Sequence, residues 1–255
     1  MNNDKLSINI IKDIFDKTPV SHIDRLCDDF KNDDRNGVKS IIKKAQKRKI
    51  DYLKEMERLK SISYFEDTYD NFSFICGIDE VGRGPFAGPV VAGAVILPKG
   101  LDIMYVNDSK QLSETKREEL NEIILKKAID TAIGVVSPER IDEIDILRAT
   151  YEAMRQAIGK LKVKPDLLLN DAVKIPEVDI KQVSIIKGDE KSKSIACASI
   201  IAKVYRDHLM EEYDSIYPEY EFAKNKGYGT KDHIDAIKKY GPTPIHRRSF
   251  IHSYI

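Results

Sequence analysis

Four carboxylates hold most of the chemistry that this sequence can perform. Asp79 and Glu80 close an apolar run, and a turn containing Gly82, Arg83 and Gly84 follows at once. Further on, DLLLN ends at Asp171, and QVSIIK runs into Gly188 and Asp189, so two more apolar segments also finish on an acid. An Asp-Glu pair at one strand end is by itself commonly a solvated turn. Repetition at three strand ends needs another reason, because an uncompensated carboxylate in an apolar setting is costly and is normally paired, hydrogen-bonded or metal-bound. At about 4 Å, like charges repel by roughly 1 kcal/mol in water and several times that near a protein surface. Such a cluster implies hard cations, and oxygen-only ligands suit Mg2+ or Mn2+.

The elements that must position these acids can be read from their surroundings. After the glycine turn come Gly88, Pro89 and VVAGAVIL, whose β-branched and small residues predict a second strand returning beside the first. The turn is a backbone loop with few side chains, where a polyanion could approach closely. It does not complete G-x-G-x-x-G, because Ala87 stands where the third glycine belongs, and the chain lacks G-x-x-x-x-G-K-[ST]. A helix from the N-cap Ser113 to about Ala128, a strand Thr131 to Val136 and one helix from Ser137-Pro138 to about Lys162 are expected next. A long helix follows over about Ser192 to Tyr213, then a glycine-bounded loop around Tyr228, a helix from about Lys231 to Tyr240, and a basic tail with Arg247 and Arg248. The first three strands suit an antiparallel meander. The stretch between the strands ending at Asp171 and Asp189 is too short for a helix, which counts against a simple βαβ unit there. The expected class is α/β, a mixed sheet flanked by helices.

Residues 1–70 read as a helical N-terminal extension and 71–255 as the main domain with a helical C-terminal segment; Ser61 to Ser73 reads as linker. In the extension, Lys43, Lys44, Lys47, Arg48 and Lys49 crowd one helix. They could bind a phosphate backbone, although a solvated helix face is the commoner explanation. The chain has 255 residues and zero formal net charge, which argues against a histone-like polycation but allows a local basic groove around an acidic centre. No apolar run approaches the roughly 18 to 20 residues of a membrane span, and the N-terminus does not resemble a secretory signal; cytoplasmic residence is expected. Cys27, Cys76 and Cys197 are too few and scattered for a disulfide framework or a zinc site, and Cys76 and Cys197 read as small core residues.

The string of Gly77, Asp79, Glu80, Gly82, Arg83, Gly84, Gly88 and Pro89 closely resembles the signature of type 2 ribonucleases H, and the resemblance covers about residues 73 to 250. It implies a ribonuclease H-like fold in which Asp79, Glu80, Asp171 and Asp189 are the catalytic, metal-binding set. KSKSIACASIIAKVYRD resembles the family's helix after the fourth acid, and GYGTKDH its substrate-side loop. One departure is visible: the third acid is usually followed by Gly, whereas this chain has Ala172. Arg83 favours type 2 over the type 3 relative, which tends to carry threonine there.

What the resemblance implies is hydrolysis of the RNA strand of RNA/DNA hybrids and cutting on the 5′ side of single ribonucleotides embedded in duplex DNA. Two ions, Mg2+ or Mn2+, would assist, leaving a 3′-hydroxyl and a 5′-phosphate. Gly82, Arg83 and Gly84 would sense the 2′-hydroxyl, Tyr228 would stack on the sugar of the following nucleotide, and Lys110 and Lys193 are candidates for phosphate contacts. Tyr228 also reads as a loop anchor, Lys110 as solvated surface, and His233 as structural. A monomer is expected. Type 3-like specificity and a hybrid-binding module without turnover remain as alternatives, although a pure binder gains nothing from carboxylates set against phosphates.

Overall fold

The computed structural model describes residues 6–255, which divide into two compact units, the first ending at Ser61 and the second running from Ile62 to Ile255. The first is helical: α1 (Ile8–Lys17), α2 (Ile23–Asp29) and most of α3 (Asn36–Ile62). Ser7 caps α1 by accepting from Ile10 N–H. Ile11, Phe15, Ile23, Cys27, Phe30, Val38 and Ala45 make its core. The basic cluster on α3 splits by role. Arg48 donates to the carbonyls of Phe15 and Thr18 at 3.0 and 2.8 Å, closing the C-terminal end of α1, and Lys49 pairs with Asp24. Lys43, Lys44 and Lys47 lie on the remaining surface of that helix, and all three are exposed.

The segment expected as linker forms a further short helix, α4 (Tyr64–Thr68), which belongs to the second unit. Its Phe65, with Tyr69 and Phe72, packs against Leu167, Leu169, Ile185 and Ile195. The Glu66 carboxylate accepts from the Ser194 amide at 2.9 Å and the Ser192 hydroxyl at 2.6 Å. Aromatic burial and a charge-assisted cap thus bind this stretch, whose polar composition suggested a tether.

The second unit is built on a five-stranded sheet of order β3-β2-β1-β4-β5. The strands are β1 (Ile75–Val81), β2 (Val90–Ile96), β3 (Asp130–Val136), β4 (Leu167–Asp171) and β5 (Lys181–Ile185). β1, β2 and β3 pair antiparallel, as the meander reading expects, whereas β4 pairs parallel with both β1 and β5. The parallel β4–β5 pair is joined without a helix. The connection stays ordered because Gln182 accepts from Ile175 N–H and donates back to Ile175 C=O, and because Val173, Ile175 and Val178 join the core.

Helices cover both faces. On one lie α6 (Pro138–Ile144) and α7 (Ile146–Lys160); the sequence reads as a single helix here, but Asp145 adopts φ 72° and breaks it, capping α7 by accepting from Arg148 N–H. The face of α7 against the sheet is made of Ala149, Ala153, Met154 and Ala157, while the larger Leu147 is exposed. On the other face α9 (Lys193–Ile216) packs along β1 and β2. It approaches so closely that a Cβ at Gly77 would stand 2.1 Å from the Ser194 carbonyl carbon. The remaining helices are α5 (Glu114–Lys127), α8 (Gly188–Lys191), α10 (Phe222–Asn225), α11 (Lys231–Tyr240) and α12 (Arg248–Ile251). Ser113 caps α5 as expected, accepting from Lys116 N–H. Among the described residues no helix is long and apolar enough to cross a membrane.

The end of β4 shows why glycine would suit the position that Ala172 occupies. That residue has φ 54°, in the left-handed region, while its N–H is held by Ile185 C=O at 2.9 Å. A side chain there costs about 1–2 kcal/mol that glycine does not incur, partly offset by glycine's greater freedom in the unfolded chain, about 0.4–1 kcal/mol. Ala172→Gly is therefore expected to raise stability by about 0.5–1 kcal/mol in a denaturant melt; a drop of that size would contradict the strain.

Candidate active site

The strand register brings the acids together. β1 and β4 are parallel with Ile78 opposite Asn170, so continuing by one residue sets Asp79 beside Asp171. Side chains alternate across a strand. Cys76 and Ile78 face the α7 side, and Gly77 faces α9, which puts Asp79 on the α9 face. There it accepts a hydrogen bond from Ser199 of α9, and one oxygen also takes the Glu80 amide at 2.8 Å. Ser199 Oγ in turn lies 2.9 Å from Ser109 Oγ, both hydroxyls being buried. Asp171 accepts from Gly188 N–H at 2.7 Å, fixing the turn into α8. Asp189 is on that short helix, not at the strand end that the sequence suggested.

The cluster carries more negative charge than the groups around it offset. Burial pushes the Asp79 carboxyl well above the usual range, with Glu80 and Asp171 adding repulsion. Glu80 is raised by burial as well, against the pull of Arg83, whose Nη1 is 3.3 Å away. Asp189 is raised by burial and then by Asp108 and Asp171. Asp108, itself buried, is a fifth acid beside the set, one that the sequence analysis did not single out. It accepts from the Lys110 amide at 2.9 Å. The Lys110 ammonium reaches to 3.9 Å from Asp189, and although burial opposes its charge, Asp108, Asp189, Asp79 and Asp171 hold its pKa up. The loop that carries Lys110 is anchored by Arg117, which donates to the carbonyls of Ser109 and Leu112.

Lys193 requires a correction. The sequence suggested a phosphate contact, but its side chain is buried, lies 3.6 Å from Asp102, and lines a pocket with Glu66, Asp70 and Lys99 rather than the carboxylates. As the first residue of α9 it is turned toward the start of β1, and the acids stand at that strand's other end.

The turn between β1 and β2 is held from inside by two arginines. Gly82 has φ 89°, and a Cβ on it would meet Arg206 Nε at 2.3 Å. Arg206 donates to the carbonyls of Pro89, Lys226 and Ala87 at 2.9–3.1 Å. Arg247 donates to those of Gly82, Arg83 and Gly88 at 2.5–3.0 Å. Both side chains are fully buried. Burial lowers Arg206 to about 10 and Arg247 to about 9, so each keeps its charge at neutral pH. Arg247 of the basic tail is thus a buried clamp on the turn. A buried Arg usually has a carboxylate partner; a run of small, glycine-rich turn residues offering free carbonyls was the one available signal for this arrangement. Tyr228 completes the site. A ring carbon lies 3.7 Å from where a Cβ on Gly84 would be, and the residue is 46% exposed, so its face is open beside the turn.

Among the described residues no three carboxylate, imidazole or thiol groups are closed into a cage around one point. The four acids instead form an open edge of oxygen donors with too few cations beside them, which fits a hard divalent ion that keeps water and takes oxygens from a substrate.

Comparison with known proteins agrees with this geometry. The family profile described as Ribonuclease HII matches residues 76–253, and that of the Ribonuclease HII N-terminal domain matches residues 7–70. A Ribonuclease HII of Lachnoclostridium phytofermentans is 59% identical over 88% of this chain and 88% of its own, and that of Clostridioides difficile 51% over 96% and 97%. Among solved structures, the ribonuclease H2 of Pyrococcus horikoshii aligns with TM-score 0.59 and 27% identity, covering 71% of this chain and 96% of that one. The RNase HII of Archaeoglobus fulgidus, solved in complex with PCNA, aligns with TM-score 0.58 and 30% identity over 68% and 93%. With family profiles matching residues 7–70 and 76–253 and relatives 51–59% identical over most of both chains, the chain belongs to the ribonuclease HII family of metal-dependent endoribonucleases, which act on RNA/DNA hybrids.

Proposed function

We propose that Asp79, Glu80, Asp171 and Asp189 are the catalytic set and that the enzyme cuts on the 5′ side of a ribonucleotide embedded in duplex DNA. The observation that carries this reading is the closeness of Asp79 and Asp171, each one residue beyond the paired Ile78 and Asn170 of parallel strands, at an edge that the Gly82–Gly84 turn and Tyr228 border. These carboxylates would hold divalent ions, Mg2+ or Mn2+ and two in the substrate complex, which would supply Lewis acidity at the phosphodiester. The protein's own groups do the positioning. Because the turn's carbonyls are drawn inward by Arg206 and Arg247, its remaining polar surface faces outward, at the place where a 2′-hydroxyl distinguishes ribose from deoxyribose. Arg83 and Lys110 offer cationic groups at the rim for phosphate, and the exposed Tyr228 ring offers a stacking face for the next sugar. The products would be a 3′-hydroxyl and a 5′-phosphate.

We also assign the helical extension, read from the sequence as residues 1–70 and forming a compact unit to Ser61, to added duplex affinity, and the second unit, which takes in α4 as well as 71–255, to catalysis. The surface lysines Lys43, Lys44 and Lys47 support the first part of this assignment.

Wild-type protein with Mg2+ or Mn2+ is expected to nick a duplex containing one ribonucleotide at its 5′ side, and EDTA to stop the reaction; cutting confined to longer RNA tracts would replace this reading with type 3-like specificity. Asp79→Asn lowers cleavage at least about 1,000-fold, roughly 4 kcal/mol in the barrier, while a gel-shift assay shows hybrid binding intact or tighter. The same variant has a readout without turnover. A carboxyl whose folded pKa is raised contributes stability that is complete below its unfolded value, about 4, and is lost as pH rises through the folded value. In EDTA the wild-type Tm should therefore fall as pH rises through that window, Mg2+ should restore it, and Asp79→Asn should melt higher than wild type at about pH 7.5 and respond less to Mg2+. Finally, replacing Lys43, Lys44 and Lys47 by Gln should raise KM and flatten its salt dependence, by a slope of about 0.9 for each phosphate that is no longer neutralised; an unchanged KM and slope would reject the affinity role.

A further inference from the structure

Two histidines outside the catalytic set form a buried relay. His233 and His246 are 0% and 2% exposed, and their Nε2 atoms are 3.0 Å apart. The surrounding groups settle which atom carries each proton. The Thr243 amide can only donate, and it meets His246 Nδ1 at 2.9 Å, so that nitrogen is an acceptor and His246 Nε2 holds the hydrogen. His233 Nε2 must then accept, which leaves His233 Nδ1 to donate to the Tyr228 carbonyl at 2.9 Å. The chain runs in one direction, from Thr243 N–H through two neutral imidazoles to the backbone of Tyr228. No site on it is free to take a proton. Burial accordingly favours the neutral forms, lowering His233 and bringing His246 to about 4. Phe86, Tyr220 and Phe222 enclose the two rings.

Both ends of this relay touch groups that border the acidic edge. At one end is Tyr228, whose ring is beside Gly84. At the other is the segment ending in Arg247, which grips Gly82 and Arg83; here Gly88 N–H is held by Ile245 C=O and Arg247 N–H by Phe86 C=O. We propose that the His233–His246 pair is a positioning device that fixes the Tyr228 loop relative to the Gly82–Gly84 turn and thereby sets selectivity for the RNA-to-DNA junction. Neither histidine touches substrate. The inference rests on the reading of Tyr228 as a substrate-side residue, but its structural half can be tested apart from that reading.

The chain contains no tryptophan, so Tyr228→Trp introduces a single reporter on the loop. In that background His233→Phe keeps a ring but removes both hydrogen bonds, whereas His233→Asn keeps a donor near the Nδ1 position. Acrylamide quenching of the indole should rise about twofold with Phe and return to the parent value with Asn. With Tyr228 restored, the kcat/KM ratio of a single-ribonucleotide duplex to a uniform RNA/DNA hybrid should fall about tenfold in His233→Phe and recover in His233→Asn. His246→Asn, which retains an acceptor for Thr243 but loses the donor to His233, should move both readouts in the same direction by less. It carries the test if Phe at position 233 blocks folding. Quenching unchanged in folded His233→Phe or His246→Asn, or equal effects of Phe and Asn at 233, would overturn the relay. A quenching change alongside an unaltered ratio in Tyr228→Ala would instead reject the substrate role of Tyr228, leaving the relay as a structural tie without influence on selectivity.

Discussion

Two arginine side chains, Arg206 and Arg247, carry their charges inside the protein with peptide carbonyls as partners, and the shape of the acidic edge depends on them. An arginine fork has five donors and no acceptor, so it can satisfy several backbone oxygens that a tight turn would otherwise leave buried and unpaired. Here the two forks take up the carbonyls of Gly82, Arg83, Ala87, Gly88 and Pro89. Lysine could supply the charge but not the planar, multidentate geometry. The desolvation cost is visible in the lowered pKa values of both groups, and the carbonyls of this turn are the main groups that offset it. The turn and the arginines therefore specify each other.

α9 is the second half of the same device. It delivers Ser199 to Asp79 and Arg206 to the turn, two helical turns apart on a helix that the small residues of IACASIIA allow to lie close on β1. Its N-terminal end is tied to α4 through Glu66 and follows directly on α8, which bears Asp189. One rigid element thus fixes the distance between the first acids, the fourth acid and the glycine turn. A helix serves this purpose better than a loop because its rise per residue is constant.

Much of this was legible in the sequence where a local rule was sufficient. Apolar runs and glycine spacing marked out β1, the turn and β2, and Ser113 and Pro138 marked helix starts because capping is a local interaction. The losses occurred where a long-range partner decides. Arg247 reads as surface because its acceptors lie about 160 residues earlier in the chain. Lys193 reads as substrate-facing because its neighbourhood in sequence is catalytic, yet its position at the start of α9 turns it to Asp102. Asp145 reads as mid-helix because an exposed Asp there violates no pattern, while its positive φ answers to how α6 and α7 pack. The parallel β4–β5 pair was hidden for the same reason, since Gln182 replaces the crossover helix with side-chain hydrogen bonds to Asn170 and Ile175.

Charge separation across the site has a consequence for how ligands enter it. The carboxylates cannot be neutralised by the arginines behind the turn, because those forks are taken up by carbonyls and fixed in place. Lys110 and Arg83 reach only the rim, 3.9 and 3.3 Å from Asp189 and Glu80. The uncompensated negative charge therefore attracts cations at the strand ends, while the positive charge behind Gly82–Gly88 favours an anion on the outer side of the turn. Each ligand lowers the cost of admitting the other: a cation at the acids removes the repulsion that a phosphate would meet, and a phosphate supplies the remaining oxygens the cation needs. On the proposed assignment of the four acids, ion binding and substrate binding would be coupled through electrostatics.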